Sequence, residues 1–366
     1  MIPTIKISLV VLGVLCSVAT VLPLLPLRDW WIRAFDFPRL QLAIMLGLIL
    51  ALLGGCALYS GVRRTWVAAG VALILVASLG YQVKQIVQYT ALVSPQAERA
   101  TREGAEQITL IVANVLIDNR DASRLLTKLR AEQPDLLLAV ETDTWWREQL
   151  AVLDADYPYR VLRPLDNTYG IALYSRLELI DPQVRYLIED DVPSIETRVA
   201  LPSGAQIQLY CLHPRPPTPF ENLASTERDA ELLVVGAAAK RSPLAVIVAG
   251  DMNDVAWSST TRRFQRISGL LDPRIGRGIY ATYHAKFPLM RWPLDHVFFS
   301  EELRLVEMRR LGRFGSDHFP ILITLSHEPG EREGHEEVPS ADLEDRVEAR
   351  EVIEDARDKH DPDSPK

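Results

Sequence analysis

The chain has 366 residues, 48% hydrophobic and 24% charged, an ordinary globular average that conceals three unlike regions. Residues 1–104 carry 9 Lys and Arg against 4 Asp and Glu, residues 105–326 carry 25 against 29, and residues 327–366 carry 6 against 15, so the net charge runs +5, −4 and −9. These figures exclude a plain soluble enzyme, a strongly basic nucleic-acid binder and, with only 3 Cys, a disulfide-stapled secreted domain.

Three uncharged stretches open the chain, at 7–27, 40–62 and 65–83, or 21, 23 and 19 residues. A spanning helix needs about 20 mostly apolar residues, so each predicts a transmembrane helix. Lys6 precedes the first, as in a signal peptide, but the apolar run is longer than a signal core and two more follow. It reads as an uncleaved anchor. The link at 28–39 sets Trp30, Trp31, Phe35 and Phe37 among arginines, a composition suited to a membrane–water interface. Residues 1–84 therefore read as a multi-pass anchor in the cell membrane, with the lipid bilayer as partner. Three spans put the chain ends on opposite sides. Lys6, Arg63 and Arg64 fall on one side; Arg28, Arg33, Arg39 and Lys84, with Arg99 and Arg102 at the edge of range, fall on the other. That tally favours a cytoplasmic C-terminal domain, although long translocated domains weaken the rule and the first helix often dominates.

Residues 85–106 read as a polar connector. From Gln107 short apolar runs predict buried strands at 108–115, 136–140, 171–174, 207–212, 245–249, 294–299 and 321–325. Helical spacing of Leu125, Leu126 and Leu129 predicts a helix over 121–132, and an Ala/Leu/Glu-rich stretch predicts another over 226–240. Between 157 and 198, Pro158, Pro164, Pro182 and Pro193 break a strand-like connection. The pattern over 107–326 is an α/β sandwich of sheets covered by helices, and 220 residues suffice for one large core. The tail, 327–366, is acidic and nearly devoid of aromatic residues, so disorder is expected there. A charged helix over 341–359 is compatible with the sequence but not demanded by it, and the tail's partner is left open. His327, His335 and His360 read as solvated.

Polar residues stand at the ends of the apolar strands, where open α/β folds place their sites. Asn114 ends one run, Glu141 the next and His213 a third; Asp251 and Asn253 follow Val-Ile-Val-Ala-Gly. Asp295 and His296 precede Val-Phe-Phe, and Asp317 and His318 precede the last strand. Singly, each fits a cap or turn. Together they make a site for a hard cation, since carboxylate and amide oxygens suit Mg²⁺ or Mn²⁺. No Walker loop and no Gly-x-Ser-x-Gly elbow is present.

The ordered series Asn114, Glu141, His213, Gly250-Asp251-Met252-Asn253, Leu294-Asp295-His296 and Ser316-Asp317-His318 resembles the endonuclease/exonuclease/phosphatase superfamily. That superfamily includes DNase I-like nucleases, neutral sphingomyelinases and inositol polyphosphate 5-phosphatases. The resemblance covers 107–326 and departs in detail, with Val140 before the glutamate and Ala113 before the asparagine. It implies a four-layer DNase I-like sandwich. It further implies metal binding by Glu141 with Asn114 and Asp317, water activation by Asp251 and a holding role for Asn253. His318, oriented by Asp295, would contact the phosphoryl group, and His213 would donate to a phosphoryl or leaving-group oxygen. His296 fits either a site or a structural role.

No basic run tracks a nucleic-acid backbone, so nucleic acid is not the favoured substrate. Trp145-Trp146, Pro216-Pro217 and Phe220 could form an apolar rim facing lipid. Given the metal-dependent phosphohydrolase chemistry that the resemblance implies, a membrane anchor and a non-basic domain point to a lipid phosphate or pyrophosphate, and a carrier pyrophosphate is what a further resemblance implies. The arrangement also resembles three-span bacterial members associated with glycopeptide resistance, whose active domain lies outside the cytoplasm. That resemblance places the domain outside, against the arginine tally. A membrane-tethered nuclease and a non-catalytic scaffold are the alternatives.

Overall fold

The three uncharged stretches are helices because nothing in them competes for the backbone: they are apolar on every face and carry no internal charge. In the computed structural model, which describes residues 2–60, 66–102, 104–331 and 334–360, the N-terminal elements are α1 (Ile2–Val21), the short α2 (Trp30–Arg33), α3 (Arg39–Ser60) and α4 (Trp66–Val87). Three helices are long and apolar enough to cross a membrane, over Thr4–Leu24, Arg39–Tyr59 and Trp66–Val87. Arg63 and Arg64, which enter the charge tally, lie outside the described residues. The helices pack through Cys16, Leu46, Ile49 and Leu75. A Cβ on Gly13 would come within 2.8 Å of Leu75, so the glycine permits the close approach of α1 to α4. At one end of the bundle a polar chain ties the helices together. Gln82 donates to Thr20 at 3.0 Å, Arg39 reaches Gln82 at 3.4 Å, and Arg39 pairs with Asp36 at 2.5 Å.

The remaining elements are β1 (Gln107–Asn114), α5 (Ser123–Glu132), β2 (Leu136–Val140), α6 (Thr144–Leu150), β3 (Tyr159–Arg163), β4 (Ile171–Ser175), β5 (Leu179–Arg185), β6 (Ser194–Ala200) and β7 (Gln206–Leu212). They continue as α7 (Thr226–Arg241), β8 (Ala245–Asp251), α8 (Ser259–Ser268), β9 (Asp295–Phe299), β10 (Leu303–Arg310), β11 (Ile321–His327) and α9 (Leu343–His360). One sheet has the order β10-β11-β1-β2-β4-β3 and the other β5-β6-β7-β8-β9. Side chains alternate across each strand. Leu110, Val112, Leu136 and Leu138 meet Leu209, Cys211, Ile247 and Val297 between the sheets. The opposite faces of the central strands bury Ile111 and Leu137 under α5 and α6, and Val246 and Val248 under α7 and α8. The result is the expected four-layer α/β sandwich.

Two expectations need correction. The tail is not disordered over 343–360: α9 lays Ala349, Val352 and Ala356 on Ala230 and Leu233 of α7. Small apolar residues at helical spacing make a stripe within the acidic run, and the acids find partners, Asp345 taking a bidentate contact from Arg266 at 2.6 and 2.5 Å. His335 accepts from the Glu98 amide at 2.9 Å instead of standing in solvent. The stretch beyond α4 is likewise packed: Ala97 is buried, and the Tyr89 hydroxyl donates to the Ala256 carbonyl at 2.7 Å.

Candidate active site

Strand direction brings the polar residues to one rim. β1 and β2 are parallel, as are β7 and β8, so all four end together. β9 is antiparallel to β8 and begins there, with Asp251 opposite Asp295. β11, antiparallel to β1, also begins at that rim. Asn114, Glu141, His213, Asp251, Asn253, Asp295, Asp317 and His318 therefore surround one cleft. Gly250 has φ 152°, and a Cβ there would fall 1.9 Å from the Leu212 carbonyl oxygen, so only glycine lets β8 deliver Asp251 beside β7. Glu141 has φ 60°, a left-handed conformation costing roughly 1–2 kcal/mol for an L residue, of the kind found at functional sites.

Two hydrogen-bonded groups meet at Asp251. In the first, Asn114 Nδ2 donates to Glu141 Oε1 at 2.6 Å and to Asp251 Oδ2 at 3.0 Å. The Ile117 amide donates to Glu141 Oε2 at 3.1 Å. In the second, His318 Nδ1 lies 2.7 Å from Asp295 Oδ2, and its Nε2 lies 3.5 Å from Asp251 Oδ2. The Asn253 amide donates to Asp251 Oδ1 at 3.0 Å, while the Asn253 side chain donates to the Pro214 carbonyl at 2.9 Å. Ser316 Oγ fixes the loop before β11, donating to the Asn114 carbonyl at 2.8 Å and accepting from the His318 amide at 2.9 Å. Asp317 is partly exposed beside His318.

Burial and charge set the protonation. Burial pushes the Glu141 carboxyl up to about 7, against hydrogen bonds from Asn114 and Ile117. Burial pulls His213 down to about 4, and its Nδ1 has no partner among the described residues. Burial also opposes charge on His318, but Asp295 and Asp251 outweigh it and raise the imidazole to about 10. Asp251 resists its burial because His318, His213 and Asn114 stabilise its anion, and it is held below the usual carboxylate range. Asp295 is raised by burial, which His318 only partly offsets.

The donor set fits a divalent cation. Glu141 and Asp251 face the same cleft, and among the described residues neither has a lysine or arginine ion partner. Asp251 is buried with His318 as its cationic neighbour, Glu141 is partly buried, and acidic oxygens grouped in this way suit a hard metal. Asn114 places its nitrogen between the two acids, while its oxygen accepts from the Leu116 amide at 2.9 Å. Asp251, Asp295 and His318 also bring one ligand-capable atom each within 4.8 Å of one another.

Other placements were not legible in the sequence. Tyr283 packs its ring 5.0 Å from that of His318, and Tyr169 lies 5.5 Å from His213. Thr282 Oγ1 accepts from the Asp295 amide at 3.1 Å. These residues sit in irregular loops with no period or motif to mark them. His296 is structural: it is buried, with Nδ1 2.7 Å from Arg274 and Nε2 2.9 Å from the Asp254 carbonyl. Trp146 is fully buried in the core and Trp145 lies edge-on to it, so Trp146 is not part of an apolar rim.

The family description "Endonuclease/Exonuclease/phosphatase family" matches residues 111–318, more than half of the chain. A search of curated proteins found no match. Among solved structures, TDP2 from D. rerio complexed with a single-strand DNA product is similar at 19% identity and a TM-score of 0.50, covering 60% of this chain and 99% of that one. The human Nocturnin catalytic domain with bound sulfate is similar at 19% identity and a TM-score of 0.50, covering 60% and 94%. An endonuclease/exonuclease/phosphatase from Beutenbergia cavernae is similar at 16% identity and a TM-score of 0.50, covering 61% and 72%. At these identities the likeness is one of fold, and it agrees with the two-sheet architecture. With the matched family covering the whole site, the chain belongs to the endonuclease/exonuclease/phosphatase family, metal-dependent hydrolases of phosphoester bonds.

Proposed function

We propose that this hydrolase acts on the phosphoester or pyrophosphate of a membrane lipid, such as a lipid carrier, from an active site facing the bilayer. The observation that carries this reading is the tethering of two loops beside the cleft. The loop after His213 bonds to the membrane-side link, Trp30 donating its amide to the Leu223 carbonyl at 2.9 Å. The loop after Tyr283 is held by Gln41 of α3, whose side chain donates to the Leu289 carbonyl at 2.8 Å. Both loops expose apolar side chains: Phe220 is 93% exposed and Leu289 84%, with Leu223, Phe287 and Met290 also exposed. Exposed apolar clusters next to membrane helices suit the headgroup region of a bilayer. Of the rim expected from the sequence, Phe220 is retained and the buried Trp146 drops out, with Leu223, Phe287, Leu289 and Met290 joining it.

Within that reading, Glu141 would hold the divalent cation, Mg²⁺ or Mn²⁺, with Asp317 and the amide oxygen of Asn114 as direct or water-mediated ligands. When bound, the ion neutralises charge on the phosphoryl oxygens. Asp251, held as an anion, orients and deprotonates the attacking water. Asn253 holds that water or a phosphoryl oxygen. His318 stays protonated between two carboxylates and donates to the phosphoryl group, with Asp295 fixing its ring. His213, neutral at physiological pH, offers a hydrogen bond to a phosphoryl or leaving-group oxygen. The resemblance to extracytoplasmic relatives and the supply of carrier-lipid phosphates there support a domain outside the cytoplasm.

Phe220→Asp combined with Leu289→Asp tests the bilayer-facing cleft. Turnover of a lipid phosphate in vesicles should fall about tenfold, while a water-soluble phosphoester is cleaved as before. Equal loss on both substrates, or loss on neither, would contradict the reading. An alkaline phosphatase fused to the C-terminus should be active if the domain is extracytoplasmic, and an active cytoplasmic reporter in its place would reverse the orientation.

A further inference from the structure

A second polar cavity, of about 390 Å³, lies between the domain-side ends of α1 and α4 and the helices α8 and α9. Its membrane side is apolar, formed by Leu24, Leu25 and Pro26 after α1 and by Tyr81 of α4. Leu24 and Leu25 are exposed and directly continue or extend the first candidate span. The cavity's other walls carry six arginines, Arg28, Arg33, Arg39, Arg262, Arg263 and Arg266, against four acids, Asp36, Asp229, Glu344 and Glu348.

The acids do not cover the arginines. Asp229 is taken by Arg228 at 2.7 Å, a residue outside the lining. Asp36 is taken by Arg39 at 2.5 Å. Arg28 pairs with Asp355 at 2.6 Å, and Arg263 and Arg266 engage Glu348 and Asp345. Two guanidiniums remain. Arg33 is buried, yet its nearest acid is the already paired Asp36 at 3.9 Å; its hydrogen bonds go to the Pro23 and Leu25 carbonyls at 3.1 and 3.3 Å and to the Ser259 hydroxyl at 3.5 Å. Arg262 forms no ion pair among the described residues; its terminal nitrogens reach only neutral acceptors, the Gln88 amide oxygen at 2.7 and 3.1 Å and the Tyr89 hydroxyl. Among the described residues the Nε–H groups of Arg33, Arg39, Arg262 and Arg263 are all buried without acceptors, and of these four only Arg262 lacks an ion pair, while Arg33 has only the shared, distant Asp36. Buried guanidinium donors lacking an anion are costly, and phosphate oxygens match their geometry.

We propose that this cavity binds the phosphate headgroup of an anionic membrane lipid, at a site separate from the catalytic cleft and contacted by Arg33 and Arg262. The site combines a cationic pocket with an apolar wall at the end of two spans, which a lipid can satisfy at once: headgroup on the arginines, chains along α1 and α4. It serves to fix the catalytic domain against the membrane, since Arg33 belongs to the link and Arg262 to the domain. The inference rests on the membrane-spanning reading of the three helices.

The test uses the full-length protein in mild detergent, exposed in parallel to phosphatidylglycerol, phosphatidylcholine or inorganic phosphate, with bound ligand counted by native mass spectrometry. The wild type should retain phosphatidylglycerol at least about fivefold over phosphatidylcholine, and millimolar phosphate alone should not displace it. Arg33→Gln with Arg262→Gln should abolish the preference; Arg262→Gln alone, on the partly exposed face of α8, should reduce it if the double variant fails to fold. Equal retention of the two lipids by the wild type, or an unchanged preference in the folded variants, overturns the site. Displacement by phosphate alone makes it a free-anion site and overturns the lipid assignment. Retention of neither lipid overturns the site and leaves the membrane-spanning reading, which rests on the helices themselves, untouched.

Discussion

His318 Nδ1 lies 2.7 Å from Asp295 Oδ2, both groups being buried at the rim where β9 begins and β11 is entered. The carboxylate fixes the ring so that Nε2 points at Asp251, and it supplies part of the charge that keeps the imidazole protonated. Asp295→Asn keeps the shape and removes the charge. Turnover should fall about 10²-fold, in line with the loss of one preorganised electrostatic group, with KM changed far less than kcat. A variant that folds normally and keeps wild-type kcat would show that the pair is structural.

Glu141→Ala and Asp251→Ala each remove an acid from the cleft and leave the apolar strands intact. Each should cost about 10²–10³ in rate while the thermal transition and circular dichroism remain those of the wild type. Activity within about threefold of wild type, in either variant at matched folding, would remove that residue from the site.

Chelation should silence the enzyme. EDTA should abolish turnover, and Mg²⁺ or Mn²⁺ should restore it, because the available ligands are oxygens. Recovery with Zn²⁺ alone would indicate a different ligand set.

A pH effect on stability follows from a buried acid on α7. Glu231 is buried there, its Oε1 has no partner among the described residues, and burial, reinforced by Glu189, pushes its carboxyl up from 4.5 to about 8. The unfolded chain ionises near the ordinary value, so the stability that the protonated group contributes is complete below about pH 4.5 and is lost as pH rises through about 8. Glu231→Gln should flatten that decline and melt about 4 °C higher than wild type at pH 9. Parallel pH profiles for the two proteins would show that Glu231 is not the titrating group.

The sequence disclosed the features governed by short-range patterns. Runs such as 136–140 and 245–249 are strands because both faces of the central strands are buried, and the polar residue after each run marks the rim. Polar residues that strand ends bring to the rim were thus visible, whereas Thr282, Tyr169 and Tyr283 were not, because loops reach the rim through tertiary contacts without a period. β3 and β10 alternate weakly at sheet edges, where one face stays wet. α9 was hidden by its charge: Ala349, Val352 and Ala356 make a narrow stripe, and the arginines that offset its acids lie on α8 and the distant link. Its acidic first turn and basic last turn match the helix dipole and were the available signal.

Substrate choice is the most direct measurement. The full-length protein, reconstituted in vesicles with Mg²⁺, should release phosphate from a prenyl pyrophosphate placed in the same bilayer, with Asp251→Ala inactive and plasmid DNA left intact. Cleavage of the DNA with the lipid pyrophosphate untouched would contradict the account and identify a membrane-tethered nuclease.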